Sequence, residues 1–314
     1  MTIHATPAHI REHADLSPNE ISEIRDFTNT VSSADGMSPL SEHVLIHLHH
    51  GLDPLSRHFL ARDEQGHLVG YLHLDQTDAV AGAAIEVAVL PSERGHGIGS
   101  ALVRAAIAEV GNHAIRLWAH GKHAGAHQLA HALGFEQVRE LWQMRRSLFA
   151  PIPKPTEIAD VSIRPFIPGQ DDQAWVDLNH AVFIDHPEQG AWTIEDLHVR
   201  MSEAWFDAAG FFVAVDDQDQ MLGFVWTKMH GGLRHKHHEH PEIGEIYVLG
   251  VAQEFRNKGI STVLTIKGLE YLRSQGLPSA MLYVDEDNTA AIELYKGLGF
   301  THWDTDVMFK RVSE

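Results

Sequence analysis

The sequence predicts a mixed α/β chain built from two copies of one fold in tandem, and three observations carry that prediction. The first is a repeat. The segment Arg256-Asn257-Lys258-Gly259-Ile260 is followed about thirty residues later by Asp287-Asn288-Thr289-Ala290-Ala291-Ile292-Glu293-Leu294-Tyr295-Lys296-Gly297-Leu298-Gly299-Phe300. Both echo an upstream pair, Arg94-Gly95-His96-Gly97-Ile98-Gly99 and Ala130-His131-Ala132-Leu133-Gly134-Phe135. Gly97 and Gly259 lie 162 residues apart, and Gly134-Phe135 and Gly299-Phe300 lie 165 apart, a period far too long for a solenoid. The second observation is length, since 314 residues suit about two domains, each with its own core. The third is that both halves interleave β-branched apolar runs with helical spacing in the same order.

Taken along the chain, the first half is expected to form strands over 58–62, 68–75 and 83–90, the last feeding the glycine turn. A helix over 98–110, a strand over 115–119, a helix over 127–133 and a strand over 136–147 follow. The three prolines of Phe149-Ala150-Pro151-Ile152-Pro153-Lys154-Pro155-Thr156 mark a linker, which gives domains 1–149 and 161–314 joined by 150–160. In the second half 161–166 reads as a strand, and 171–183 and 193–205 as helices. A hairpin over 211–215 and 221–229 turns at the polar run Asp216-Asp217-Gln218-Asp219-Gln220. The strand 243–251 enters the second glycine turn, followed by a helix over 258–275, a strand over 280–284, a helix over 288–298 and a strand over 300–309.

Composition narrows the function. A formal charge of −19 opposes a nucleic-acid or anionic-membrane surface and suits a cationic small molecule. The N-terminus lacks a basic segment followed by an apolar core, and no run of eighteen apolar residues occurs, so a cytoplasmic, monomeric protein with no membrane partner is expected. The absence of cysteine removes disulfides and thiol nucleophiles.

The paired motifs resemble the two signature segments of the GCN5-related N-acetyltransferases. The resemblance implies, for each half, a central, mostly antiparallel sheet flanked by helices, and acetyl-coenzyme A as co-substrate, one per domain. In that family the first segment wraps the pyrophosphate, and the second carries an Asn near the pantetheine and a Tyr beside the thioester sulfur. Elementary chemistry agrees, because a strand-to-helix turn points several backbone N–H groups and the positive end of a helix dipole at one place. Carried onto this chain, the second half would hold the cofactor with Leu249, Gly250, Val251, Arg256, Asn257, Lys258, Gly259, Ile260, Ser261 and Thr262. Asn288, Thr289, Ala290, Ala291, Ile292 and Glu293 would complete that site. The first half would use Val87, Ala88, Val89, Gly95, His96, Gly97, Ile98, Gly99 and Ser100. Ser261 departs from the usual Gly or Ala of the motif.

Acetyl transfer to an amine needs a neutral nucleophile, a proton acceptor, an oxyanion donor and a proton for the departing thiolate. Glu245, on the strand ending at the turn, is the candidate base, with a solvated strand carboxylate as the plain alternative. The family's geometry makes the backbone amide of Val251 the oxyanion donor and Tyr295 the general acid; a ring that only packs its helix is the plain alternative for Tyr295. The first half has Ala130 where the phenol should be and His123 near the Asn288 position, although Glu86 echoes Glu245. Chemistry is therefore expected in the second half, with the first only holding cofactor.

A closer resemblance rests on His186-Pro187-Glu188-Gln189-Gly190, Lys228, Gly244-Glu245-Ile246-Tyr247-Val248 and Leu282-Tyr283-Val284-Asp285. It is to tandem family members, actinobacterial and cytoplasmic, that acetylate the cysteinyl amine of a cysteinyl-glucosaminyl-inositol, a small-molecule thiol precursor. It implies substrate contacts from Asp35, Glu188, Lys228, Glu245 and Tyr283, with a turn role before Gly36 as the alternative for Asp35. Another small amine, a peptide N-terminus, or acetyl-coenzyme A sensing are the competing functions. The histidine tract of residues 230–240 looks like a metal site, but interspersed Arg234 and Lys236 disfavour a cation, and no metal is expected.

Overall fold

A computed structural model describes residues 9–50, 55–78, 82–121, 123–184, 189–230 and 242–312. Its first elements, strand β1 (His9–His13) and helices α1 (Pro18–Asp35) and α2 (Glu42–His50), fall where the sequence reading assigns nothing. The signal for α1 is nevertheless local. Ser17 Oγ accepts from the N–H of Glu20, and the Glu20 carboxylate accepts from the N–H of Ser17, a reciprocal cap with Pro18 at the first helical position. Gly36, at φ 77°, ends the helix in the left-handed region.

The remaining elements follow the expected order, with ends that coincide or are displaced by at most three residues. They are β2 (Arg57–Arg62), β3 (Leu68–Asp75), β4 (Ala83–Val89), α3 (Ile98–Val110), β5 (Ile115–Ala119), α4 (Ala124–Ala132) and β6 (Glu136–Ser147). Then come β7 (Ser162–Pro165), α5 (Asp172–Val182), α6 (Ile194–Ser202), β8 (Phe211–Val215) and β9 (Met221–His230). The last are β10 (Ile243–Val251), α7 (Ile260–Ser274), β11 (Ser279–Asp285), α8 (Thr289–Gly297) and β12 (Thr301–Arg311).

Packing divides the chain into one unit of residues 1–141 with 304–314 and a second of residues 142–303. The units differ from the two halves of the sequence, because each takes in residues of a strand from the other half. The order is β1-β2-β3-β4-β5-β12 in the first and β6-β11-β10-β9-β8-β7 in the second. In the first, Val307 to Arg311 pair antiparallel with Ala119 to Ile115. The proline-rich segment at 150–160 is no free tether, since Ile152 and Ile158 pack on the second unit's core and Arg146 donates to the carbonyls of Ala150 and Pro151.

Each sheet is antiparallel except at one crossover, β4–α3–β5 and β10–α7–β11, where the paired strands run parallel. In the first unit α3 supplies Leu102, Val103 and Ala106 to one sheet face, while Ile24, Phe27 and Val31 of α1 and Val44 and Leu48 of α2 cover the other. In the second, Leu264, Leu269 and Leu272 of α7 cover one face, and an aromatic cluster around Trp175 and Trp226 covers the other. Both tryptophans are 0 % exposed, so this is the dry core on which the charged groups described below are mounted.

Candidate active site

Strand β10 has a register shift between Ile246 and Val248. Before it, Gly244 and Ile246 face α7 while Glu245 faces the aromatic side; after it, Leu249 and Val251 face α7, and a Cβ on Gly250 would stand 2.6 Å from the Phe224 ring. Tyr247 and Val248 therefore turn consecutively to the aromatic side, as a bulge permits. The β10–β11 ladder holds only Gly244 against Ala280 and Glu245 against Met281, so it ends at Glu245. Beyond that point β10 has a partner on one side only. The N–H of Ala252 donates to Leu222 O at 2.9 Å, toward β9. Since successive peptide groups of a strand alternate in direction, the N–H of Val251 points the other way, to the side where the β11 ladder has stopped.

Three charged groups meet on the aromatic face of this region. Lys228 stands opposite Glu245 in the β9–β10 register, and His230 Nε2 lies 2.6 Å from Glu245 Oε2. Burial pushes the Glu245 carboxyl up, but the His230 hydrogen bond and the charges of His230 and Lys228 outweigh burial and hold it below its ordinary range. The Lys228 ammonium sits over the rings of Trp205 (4.7 Å) and Tyr247 (5.4 Å). Buried Arg200 stacks 3.7 Å over Trp192 and donates to the Tyr247 hydroxyl at 3.2 Å. Tyr283 of β11 shares this sheet face, half-exposed, its hydroxyl accepting from Gln143 at 2.8 Å.

On the opposite face lies Tyr295, buried in the α7–α8 core with its ring 5.9 Å from that of Phe300. Burial alone pushes its phenol well above the ordinary value, so it keeps its proton. The turn before α7 has Asn257 at φ 61° and Gly259 at φ 86°, both left-handed. Gly259 caps a helix whose first N–H groups, from Ile260 to Thr262, have no intrahelical acceptor. Arg256 and Lys258 beside it are exposed. Asn288 caps α8, its Oδ1 accepting from the N–H of Ala291 at 3.2 Å, so its side chain has a structural task. Thr289, Ala290, Ala291, Ile292 and Glu293 form the first turn and a half of that helix.

The first unit repeats this frame. Gly95 (φ 79°) and Gly97 (φ 85°) occupy the places of Asn257 and Gly259, and Ile98, Gly99 and Ser100 open α3. Ala130 O accepts from the N–H groups of Leu133 and Phe135, as Tyr295 O accepts from Leu298 and Phe300, which makes Ala130 the positional equal of Tyr295. Glu86 ends its parallel ladder opposite Trp118, as Glu245 ends its own, and its partner on β3 is His73 in place of Lys228. Here, however, the carboxylate is closed in. Ser41 N–H donates to it at 2.5 Å, and His120 lies 3.4 Å from it and 2.9 Å from Asp306.

The structure thus brings Lys228, Glu245 and Tyr283 together on one sheet face, with Val251 on β10 beyond the end of the β11 ladder and Tyr295 buried in the core on the other face. Asp35 belongs to the first unit, where Arg94 grips its carboxylate. Glu188 and residues 231–240 of the histidine tract lie outside the described residues. The sequence reading missed His230 as a partner of Glu245; strand parity, two residues on from Lys228, was the available signal.

The Acetyltransferase (GNAT) family profile matches residues 20–135 and 175–300. The chain belongs to this family. Among its curated relatives are the mycothiol acetyltransferases of Acidothermus cellulolyticus (46 % identical, 99 % of this chain and 97 % of that one) and Salinispora arenicola (47 %, 94 % of each). That of Streptomyces coelicolor is 42 % identical over 97 % of this chain and 96 % of its own. Among solved structures, a tandem GNAT protein from the clavulanic acid pathway superposes with TM-score 0.72 at 18 % identity, covering 96 % of this chain and 98 % of that one. A GCN5-related N-acetyltransferase from Sphaerobacter thermophilus gives 0.70 at 23 %, covering 96 % and 95 %. These two likenesses bear out the expected fold, and the chain is an acetyl-coenzyme A-dependent N-acetyltransferase. No described helix is long and apolar enough to cross a membrane.

Proposed function

We propose that the second unit moves an acetyl group from acetyl-coenzyme A to the cysteinyl amine of 1D-myo-inositol 2-(L-cysteinylamino)-2-deoxy-α-D-glucopyranoside, completing mycothiol in the cytoplasm. The observation that carries this reading is Glu245: a buried carboxylate beside an ammonium and an imidazole, at the point where its ladder ends, in a chain that aligns almost end to end with mycothiol acetyltransferases.

The turn at 256–262 fits the co-substrate's pyrophosphate, since two left-handed residues aim unpaired helix N–H groups at one place with Arg256 and Lys258 alongside. Acetyl-coenzyme A, when bound, supplies an activated acyl group whose leaving group is a thiolate. Glu245 takes the ammonium's proton, directly or through water, so that the amine can attack. The Val251 N–H stabilises the oxyanion of the tetrahedral intermediate. Tyr295 gives its proton to the thiolate as the C–S bond breaks and the C–N bond holds. Lys228, Tyr283 and Glu188 would hold the acceptor's hydroxyls and backbone, with Leu249 and Gly250 walling the cofactor side. We assign the first unit a second acetyl-coenzyme A site without transfer, at Val87, Ala88, Val89 and residues 95–100, because Ala130 offers no proton.

Purified protein incubated with acetyl-coenzyme A and the cysteinyl pseudodisaccharide should yield acetylated product by mass spectrometry. A panel of aminoglycosides and peptides acetylated in its place would transfer the assignment to another amine.

A further inference from the structure

We infer that His230 is the positioning residue that carries the acceptor's protons out of the buried Glu245 carboxylate to water. This rests on the reaction proposed above and assigns it one more working group. The Nε2–Oε2 separation of 2.6 Å is that of a strong, charge-assisted hydrogen bond, along which one proton can be shared. Glu245 is buried, whereas the His230 side chain is one-third exposed, so the imidazole is the member of the pair that reaches solvent.

The chemistry needs such an exit. Two protons leave the attacking ammonium on the way to the amide; Tyr295 covers the thiolate and must be reprotonated, and one proton is released to solvent each turnover. A carboxylate held below its ordinary range by neighbouring positive charge is a poor resting place for a proton, and it works as a base only if the proton is passed on at once. Among the described residues, the charged and titratable groups on this face, besides Glu245 itself, are Arg200 of α6, Lys228 and His230 of β9, Tyr247 of β10 and Tyr283 of β11. The Lys228 ammonium is held over the rings of Trp205 and Tyr247, and the Tyr247 and Tyr283 hydroxyls already accept from Arg200 and Gln143, which leaves the imidazole that touches Glu245 as the proton carrier.

The first unit supplies the contrast. Its carboxylate, Glu86, also has an imidazole beside it, but His120, just after β5, has a side chain only 13 % exposed and is tied to Asp306 on its other nitrogen. Proton exit is closed there, in keeping with a unit that performs no transfer.

The experiment compares wild type with His230→Gln and His230→Ala in steady-state turnover across pH, with and without added imidazole. Calorimetric binding of acetyl-coenzyme A and the melting temperature serve as controls for folding. Both variants should bind acetyl-coenzyme A as wild type does, lose turnover by about 10²-fold at neutral pH and lose the acidic limb of the kcat profile. Imidazole should restore at least tenfold to His230→Ala, because it refills the vacated place. His230→Gln keeps a hydrogen-bond donor but carries no proton, so wild-type turnover in that variant overturns the inference. Loss of turnover with an unchanged pH profile and no rescue also overturns it. A wild-type protein that yields no product sinks the proposed function itself, whereas active wild type with indifferent variants sinks only the role of His230.

Discussion

Asp35 holds Arg94 through both terminal guanidinium nitrogens, at 2.6 and 2.9 Å, and His123 approaches the same carboxylate at 3.6 Å. Arg94 opens the first unit's glycine turn and also donates to Val89 O, so its charge is fixed before any phosphate arrives. In the second unit Arg256 is exposed. The two turns share backbone geometry and differ in how much positive charge they leave for a ligand.

Asp35→Ala should therefore change acetyl-coenzyme A binding at the first unit by releasing Arg94, a change of a few-fold that weakens with added salt. Calorimetry resolves it. If Asp35 is instead a substrate contact, the KM for the acceptor rises and cofactor binding stays as it was.

Replacing Gly97 by Val should abolish one of two acetyl-coenzyme A binding events and leave most of the activity, whereas Gly259→Val should eliminate turnover. Both glycines sit near φ 85°, where a β-branched residue is strained whatever space surrounds it. Activity that survives at Gly259 and dies at Gly97 would move the chemistry to the first unit.

Tyr295→Phe keeps the ring that packs against Phe300 and removes only the hydroxyl, so the fold should hold while turnover falls by roughly 10²- to 10⁴-fold. Turnover within a factor of two of wild type would remove Tyr295 from the mechanism and leave it a packing residue.

Stability should depend on pH through two histidines of the first unit, His73 and His120. Burial depresses His73 to about 3, so its neutral form is favoured by folding, and stability is lost as pH falls from the unfolded value near 6.5 toward 3. For His120 burial also opposes the charge, but the hydrogen bonds and charges of Asp306 and Glu86 prevail and raise it to about 10. Its contribution is complete below about 6.5 and disappears as pH rises toward 10. The melting temperature should peak near neutrality, and each of the two histidines contributes at most ~1.4 kcal/mol of unfolding free energy per pH unit to its limb. His120→Gln should flatten the alkaline limb; an alkaline decline of unchanged steepness in that variant would show that other groups cause it.

The glycine turns were legible because a left-handed residue before a helix leaves a mark in composition, and their recurrence revealed the tandem fold. Asn257 hid the same conformation that Gly95 displays openly. Glu245 was legible as a carboxylate on the strand that enters the glycine turn, and Lys228 through the family resemblance, but the register shift at Tyr247 was not, since a one-residue bulge changes facing without changing the apolar pattern. Helix α1 escaped notice even though Ser17, Pro18, Glu20 and Gly36 spell its caps. The bonds of Glu86 to Ser41 and His120 come from distant contacts that no local window contains.

Strand β12, which comes from the second half of the sequence, pairs with β5 of the first unit and brings Asp306, the counter-ion of His120. About two hundred residues separate that strand from the one it pairs with, so the first unit cannot be finished until the second has been made. Until then β5 lacks this partner and His120 lacks its Asp306 carboxylate. Cutting the gene at the proline-rich segment would yield two fragments, the first lacking Asp306 and β12, the second lacking β6. Co-expression of the two pieces, and not either alone, is the arrangement in which both sheets can close.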